Sequence, residues 1–184
     1  MPRRYCIRCG HRLGRVRERG QVVSRCPACG WTDWFNPAPT ASVLILRRGG
    51  GSGTTVLLVR RAFAPARGAW DVPGGFVERG ETAEAAAVRE AREELGVDVR
   101  LERLVGIFPD TYAFGGERQP SLNIYYVARL RRPNAPIRPA DDVSGFRWFP
   151  LARPPRRLAF KNNRQALHAV RRLSGRRTGR PAAN

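Results

Sequence analysis

A chain of 184 residues can bury one ordinary core plus a small appendage, and no apolar run approaches the roughly 18 residues needed to cross a bilayer, so no membrane partner is expected. The formal net charge of +19 invites a nucleic-acid reading, but it is unevenly spread: residues 1–36 carry +6, residues 37–146 only +2 and residues 147–184 +11. The middle of the chain is nearly neutral, so composition supports no more than weak, sequence-independent nucleic-acid binding through the two ends.

At the amino end, Cys6-x2-Cys9 and Cys26-x2-Cys29 are separated by sixteen residues, and each pair is followed by a glycine, Gly10 and Gly30. Two such knuckles predict four thiolates around one tetrahedral Zn²⁺, which supplies the stability that so short a module cannot draw from a core of its own. Two disulfides are the rival arrangement. The chain opens Met1-Pro2-Arg3-Arg4 without an apolar signal segment, and the reducing cytoplasmic setting this suggests favours the metal. His11 is read as a surface histidine, because four cysteines complete the shell. The expected organisation is a zinc ribbon over 1–36, a main domain over 37–173 and a basic, disordered tail over 174–184.

Thr40 to Arg48 is a β-rich apolar run, 49–53 a glycine-rich turn, and Thr54 to Arg61 the hairpin partner. Pro65 to Gly68 reads as a loop, and Trp70 to Val77 is strand-like around a Pro73-Gly74-Gly75 bend. Thr82 to Leu95 has helical spacing, with Ala83, Ala86, Ala87, Ala91 and Leu95 on a small-residue face suited to close packing, and Gly96 is the expected left-handed terminator. Val97 to Phe108, Ser121 to Leu130 and Gly145 to Phe149 follow as strands, Tyr112 to Pro120 as a loop, and Lys161 to Leu173 as a closing helix. This order implies an α/β fold in which a mixed sheet lies between helices.

The helix from Thr82 carries the chemistry. Glu90 lies one turn from both Glu93 and Glu94, a like-charge spacing that costs a few tenths of a kcal/mol. The same acids stand at the helix carboxyl end, where the dipole disfavours anions by roughly 0.3–1 kcal/mol each. A solvated face neutralised by Arg89 and Arg92 is the plain alternative. Two local rules broken together call instead for a cation, and hard oxygen donors suit Mg²⁺ or Mn²⁺. Gly74 and Gly75, just upstream, would let backbone approach a ligand closely.

Gly75, Glu81, Arg89, Glu90, Glu93, Glu94, Gly96 and Val97 fit G-x5-E-x7-R-E-U-x-E-E-x-G-U, with U aliphatic and Ala91 small for its U position. This resembles the signature of the Nudix hydrolases. The resemblance covers about residues 37–173, its specific part being Gly74 to Val97. A zinc ribbon ahead of such a domain is similar to the branch that includes NADH pyrophosphatases and certain FAD or ADP-ribose pyrophosphatases. The Ser-Gln-Pro-Trp-Pro-Phe-Pro stretch usual in NADH pyrophosphatases is missing here, which argues against a dedicated NADH or NAD-cap activity. The resemblance implies an α/β/α sandwich and divalent-metal-dependent hydrolysis of a phosphoanhydride in a nucleoside diphosphate linked to another group. It implies Glu90 and Glu94 as primary metal ligands, Glu93 as ligand or general base, the Gly74 carbonyl as a further ligand, and Arg89 holding the acids with Glu81 as its partner. An extra carboxylate before the last strand is also implied; Asp142 is the candidate, with Asp141 as rival and a plain turn as the alternative. The ribbon could serve as a homodimer contact.

Arg60 and Arg61, ending the second strand, are candidate substrate-phosphate donors or else exposed strand-end charges. Of Tyr112, Phe114 and Tyr125, Phe114 is the base-stacking candidate, because it sits directly beside the glycines of the expected loop. The competing class is a non-catalytic nucleotide-sensing or RNA-binding protein. A complete set of Glu90, Glu93 and Glu94 favours hydrolysis.

Overall fold

The structure is a computed structural model that describes residues 3–49 and 53–175. The described residues as far as Pro37, together with Thr111–Pro120, form one compact unit; Ala38–Asp110 and the described residues from Ser121 onward form a second.

In the first unit, β1 (Gly14–Glu18), β2 (Gln21–Arg25) and β3 (Thr32–Asp33) make an antiparallel sheet in the order β1-β2-β3. Arg19 and Gly20 both have positive φ, 48° and 79°, which closes the first hairpin with a two-residue turn whose twist matches the strands. The buried apolar side chains of this unit are, among the described residues, Cys6, Val23 and Cys26, far too few to repay the conformational entropy of ordering it.

The second unit contains β4 (Ala38–Gly49), β5 (Gly53–Arg61), β6 (Trp70–Asp71), β7 (Gly74–Phe76), α1 (Ala83–Leu95), β10 (Val143–Pro150), α2 (Lys161–Gly175) and the larger parts of β8 (Val99–Phe114) and β9 (Glu117–Leu130), whose residues within Thr111–Pro120 belong to the first unit. Its sheet runs β10-β5-β4-β9-β8, with β6 beside β5 and β7 beside β4. β4 pairs parallel with β9 and antiparallel with β5, so the sheet is mixed. Strand alternation splits the apolar runs between two cores. Val43, Ile45, Leu57 and Val59 meet Ala86, Ala87, Ala91 and Leu95 of α1; Leu44, Leu46, Val56 and Leu58 meet Ala166, Leu167 and Val170 of α2. A sheet covered on both faces explains why β4 and β5 read as unbroken apolar runs. The fold is thus the α/β/α sandwich expected.

Two elements differ from the sequence reading. The expected loop Tyr112–Pro120 is instead the end of β8 and the start of β9, joined by Gly115 and Gly116 at φ 58° and 80°. Both turn positions need positive φ, and two consecutive glycines meet that demand in two residues. Phe114 therefore ends a strand rather than lying in a loop; its side chain is outside the described residues, as are residues 50–52 and 176–184 of the expected turn and tail. The strand-like run from Trp70 divides into β6 and β7 at Pro73, which has no amide to donate to a ladder.

Candidate active site

The helix α1 is fixed at both ends by local chemistry. Thr82 Oγ1 accepts the Ala85 amide at 3.1 Å, a cap worth about 1 kcal/mol. At the other end Gly96 adopts φ 65° and its amide donates to Arg92 O at 2.8 Å. Along one face Ala86, Ala87 and Ala91 are fully buried; their small side chains let the helix lie close to the sheet, and the acids of its last two turns come to the edge where β7 begins.

Arg89 organises that edge. Its Nε and Nη2 grip Glu81 at 3.0 and 3.1 Å, its Nη1 donates to Glu90 Oε1 at 2.8 Å and Glu93 Oε2 at 2.7 Å, and Nη2 also meets Phe76 O at 2.9 Å. Hydrogen bonds from Arg89 hold the Glu81 carboxyl below its ordinary value, and the surrounding acids push the guanidinium further up. Only a planar fork with five donor hydrogens makes this set of contacts.

Glu94 lies outside Arg89's grip. It is 5% exposed and accepts the Gly74 amide at 3.2 Å. Burial first, then the charges of Asp142, Glu90 and Asp71, push its carboxyl well above the ordinary range. Glu90 is raised as well, again by burial, with Arg89 opposing. One oxygen of each, Glu94 Oε1 and Glu90 Oε2, has no protein hydrogen bond among the described residues, and neither is sealed from solvent. Gly74 and Gly75 make the close approach possible. A Cβ on Gly74 would strike Ala41 O and the Ser42 backbone, and one on Gly75 would strike the Glu90 carboxylate.

The remaining sequence candidates are placed as follows. Asp142, just before β10, lies 3.7 Å from Arg61 Nη2, and its charge is felt by both Glu90 and Glu94. Asp141 is exposed at φ 55°. Arg61 is mostly buried and donates from Nη1 to Asp71 at 2.9 Å and from Nε to Pro65 O at 2.8 Å. Arg60 is exposed and meets Gly68 O at 3.3 Å. Tyr125 is a core residue, 2% exposed.

Sequence reasoning missed the partner of Arg61. Asp71 is buried, its carboxyl raised by that burial, and it is satisfied by Arg61, the Val72 amide at 2.8 Å and Asn163 Nδ2 at 2.7 Å; Asn163 Oδ1 in turn accepts Tyr125 OH at 2.6 Å. A signal existed. Asn163 stands at i of the i, i+3, i+4, i+7 stripe completed by Ala166, Leu167 and Val170, and a polar residue on an apolar stripe implies a buried partner.

In the first unit the four cysteine sulfurs all lie within 4.8 Å of one another, the one such group among the described residues. All four are free thiols, with separations of 3.4 Å for Cys9–Cys26 and 3.6 Å for Cys6–Cys29 and Cys9–Cys29. A disulfide needs about 2.05 Å, whereas a tetrahedron with metal–sulfur bonds of about 2.3 Å sets sulfurs roughly 3.8 Å apart. Both knuckles repeat one geometry: Gly10 N to Cys6 O and Gly30 N to Cys26 O at 3.0 Å, with Cys6 N to His11 O and Cys26 N to Trp31 O at 2.8 Å. The arrangement fits a zinc ribbon. His11 is exposed. No helix among the described residues is long and apolar enough to cross a membrane.

The family model for the NUDIX domain matches residues 36–170. Over 154 residues the chain is 34% identical to the NAD-capped RNA hydrolase NudC of Pseudomonas aeruginosa, covering 83% of this chain and 50% of that protein. It is 31% identical over 110 residues to an ADP-ribose pyrophosphatase of Methanocaldococcus jannaschii, covering 59% and 62% of the two chains. The chain thus spans about half the length of the NudC relative. The crystal structure of a NUDIX hydrolase from Nitrosomonas europaea superposes with a TM-score of 0.71 at 25% identity, covering 99% of this chain and 97% of that one.

Proposed function

The chain belongs to the Nudix family, and from that premise we propose that it is a divalent-metal-dependent pyrophosphohydrolase acting on a nucleoside diphosphate linked to another group, such as ADP-ribose, FAD or an NADH-like dinucleotide. The observation that carries this reading is the excess of buried carboxylate at this edge: Glu90, held by Arg89, and Glu94, outside its grip, are both buried, both raised, and each keeps one oxygen free of protein hydrogen bonds among the described residues. A site built only for stability would leave neither oxygen without a partner. Hard, unpaired oxygens fit Mg²⁺ or Mn²⁺. Glu90, Glu94 and the Gly74 carbonyl would hold it, and Glu93 and Asp142 would be the further candidate ligands.

Such a metal supplies charge neutralisation of the two phosphates and activation of water. The residues do the rest. Arg89 fixes Glu90 and Glu93 relative to each other, Glu81 anchors Arg89, and the Gly74 amide orients Glu94, so the oxygens are arranged before a ligand arrives. Glu93, more exposed than Glu90 and Glu94 at 48%, would accept a proton from the attacking water. Arg60 remains the proposed contact to phosphate. In the first unit, Cys6, Cys9, Cys26 and Cys29 would hold a structural Zn²⁺.

Relatives named for NAD-capped RNA and for ADP-ribose both motivate the substrate panel, while the missing Ser-Gln-Pro-Trp-Pro-Phe-Pro stretch weighs toward the latter. Product release from NADH, FAD, ADP-ribose and diadenosine polyphosphates with Mg²⁺ decides it. Cleavage of ADP-ribose in preference to NADH is expected; absence of metal-dependent cleavage of any of them would overturn the hydrolase reading.

A further inference from the structure

The first unit carries an arginine-lined cleft that the hydrolytic reading does not use. Arg25 is engaged by Glu18 and Thr32; none of the other arginines before Pro37 has a side-chain partner among the described residues. Four of these unpaired side chains, Arg3, Arg4, Arg12 and Arg15, line one cleft of about 510 Å³ together with Tyr5 and Ser24, and no carboxylate lines it among the described residues. The cleft is built by backbone. Tyr5 bridges to Arg12, and Leu13 N donates to Arg4 O at 2.9 Å, which ties the amino-terminal arm alongside the start of β1. A second cleft of about 650 Å³ shares Arg3 and Arg4 and adds Phe35 together with two acids, Asp33 and Glu117; Asp33 also accepts the Arg3 amide at 3.2 Å.

Four like charges converging on a cleft that no carboxylate lines among the described residues are mutually repulsive; only Arg3 and Arg4 share a neighbouring cleft with acids, Asp33 and Glu117, while Arg12 and Arg15 do not line it. An anion with several regularly spaced charges relieves the repulsion. Tyr5 is 62% exposed, an orientation that wastes apolar surface unless something planar covers it. Cationic side chains beside an uncovered ring form the pattern by which backbone phosphates and unpaired bases are held together. A duplex offers phosphates but keeps its bases stacked, so it leaves the ring uncovered.

We propose that the arginine-lined cleft between the Arg3–Tyr5 arm and β1 binds single-stranded nucleic acid, with Arg3, Arg4, Arg12 and Arg15 on phosphates and Tyr5 stacking on a base. This goes beyond the hydrolytic reading and does not depend on it, since it is read by binding alone.

The test is fluorescence anisotropy of a labelled twelve-nucleotide oligouridylate with the full-length protein across a salt series, against duplex RNA and inorganic polyphosphate of matched length. Each phosphate contact contributes about 0.7 to the slope of log affinity against log salt, so Arg4→Ala with Arg12→Ala should lower the slope by about 1.4, and Arg3→Ala with Arg15→Ala by the same amount. Tyr5→Ala should weaken the oligonucleotide about tenfold and leave polyphosphate unchanged. Zinc content and ADP-ribose turnover should not move in any variant. If neither arginine pair alters the slope, binding resides in the carboxy-terminal arginines and the proposal fails. Equal binding of duplex and single strand, or a Tyr5→Ala effect that is nil or equal for polyphosphate, would show a general polyanion surface and overturn the assignment to single strands.

Discussion

Glu94→Gln keeps the shape of the side chain and its bond from the Gly74 amide but removes a charge that the fold has buried. Two opposite effects should follow. With Mg²⁺ present, loss of a ligand charge should cut turnover at least about a hundredfold, equivalent to roughly 2.7 kcal/mol of transition-state stabilisation, and shift the Mg²⁺ dependence to higher concentration. Without Mg²⁺, the same change should stabilise the protein. Glu90 sits one helical turn away and costs a few tenths of a kcal/mol by repulsion, and a charge in the last turn of α1 costs roughly 0.3–1 kcal/mol against the dipole. Their removal gives about 1 kcal/mol, or roughly 3–5 °C in melting temperature for a domain of this size. The assays are product release under saturating substrate over an Mg²⁺ titration, and thermal melting in Mg²⁺-free buffer without chelator, which leaves the thiolate site alone. Near-wild-type turnover with an unchanged Mg²⁺ midpoint would refute the ligand role. A lower melting temperature in Mg²⁺-free buffer would show that the Glu94 charge is structural.

The two glycines should separate fold from function: Gly74→Ala meets backbone at φ 151° and is expected to lose soluble folded protein, whereas Gly75→Ala meets only the movable Glu90 carboxylate and should fold with turnover reduced about tenfold or more, as circular dichroism and activity together will tell. Arg89→Lys keeps the charge but cannot reproduce five hydrogen bonds, so turnover should fall about 10–100-fold; retained activity would make the fork incidental. Cys26→Ser should lose the zinc ion and with it the fold of the first unit, while the melting of the second persists; stoichiometric metal after dialysis would contradict the thiolate site. Because burial raises Glu90, Glu94 and Asp71, the folded state holds protons more tightly than the unfolded chain, so Mg²⁺-free stability should decline as pH rises above the ordinary carboxylate value of about 4.5. Glu81, lowered by Arg89, works in the opposite sense, its contribution being lost as pH falls. Added Mg²⁺ should raise the melting temperature more at pH 8 than at pH 5.5; the reverse order would refute the assignment of the raised groups to the metal site.

What was legible in the sequence was what depends on local spacing. α1 and its left-handed Gly96 follow from periodicity and a single glycine, and β4 and β5 follow from unbroken apolar runs that only a doubly covered sheet can bury. The Cys-x2-Cys pairs announce one cluster because each knuckle is a closed local turn. The failures share a cause as well. Tyr112–Pro120 looked like a loop because glycines were counted as breakers, whereas two adjacent glycines at positive φ are the cheapest way to continue a ladder through a turn. Arg61 looked available for phosphate because Asp71 and Asn163, ten and about a hundred residues away in sequence, are brought to it only by tertiary packing. Pairings of that kind leave no mark on spacing; the mark they do leave is a polar residue where the pattern demands an apolar one.

The two guanidiniums of the second unit's acidic edge make the case for a cation more strongly than any single residue. Arg89 is shared by Glu81, Glu90 and Glu93, and Arg61 by Asp71 and Asp142, while Glu94 has neither. Six carboxylates against two fixed positive charges leave an excess of four carboxylates, in a chain whose overall charge is +19. Arginines are abundant everywhere else, so the local deficit does not come from composition. In the absence of metal the surplus is carried partly by protons, which is what the raised Glu90, Glu94 and Asp71 express. Protons and divalent ions then compete for the same oxygens. A structural salt-bridge network has no need of that competition, because further arginines would end it; a site that must accept and release a metal-bound polyphosphate has to leave the deficit open.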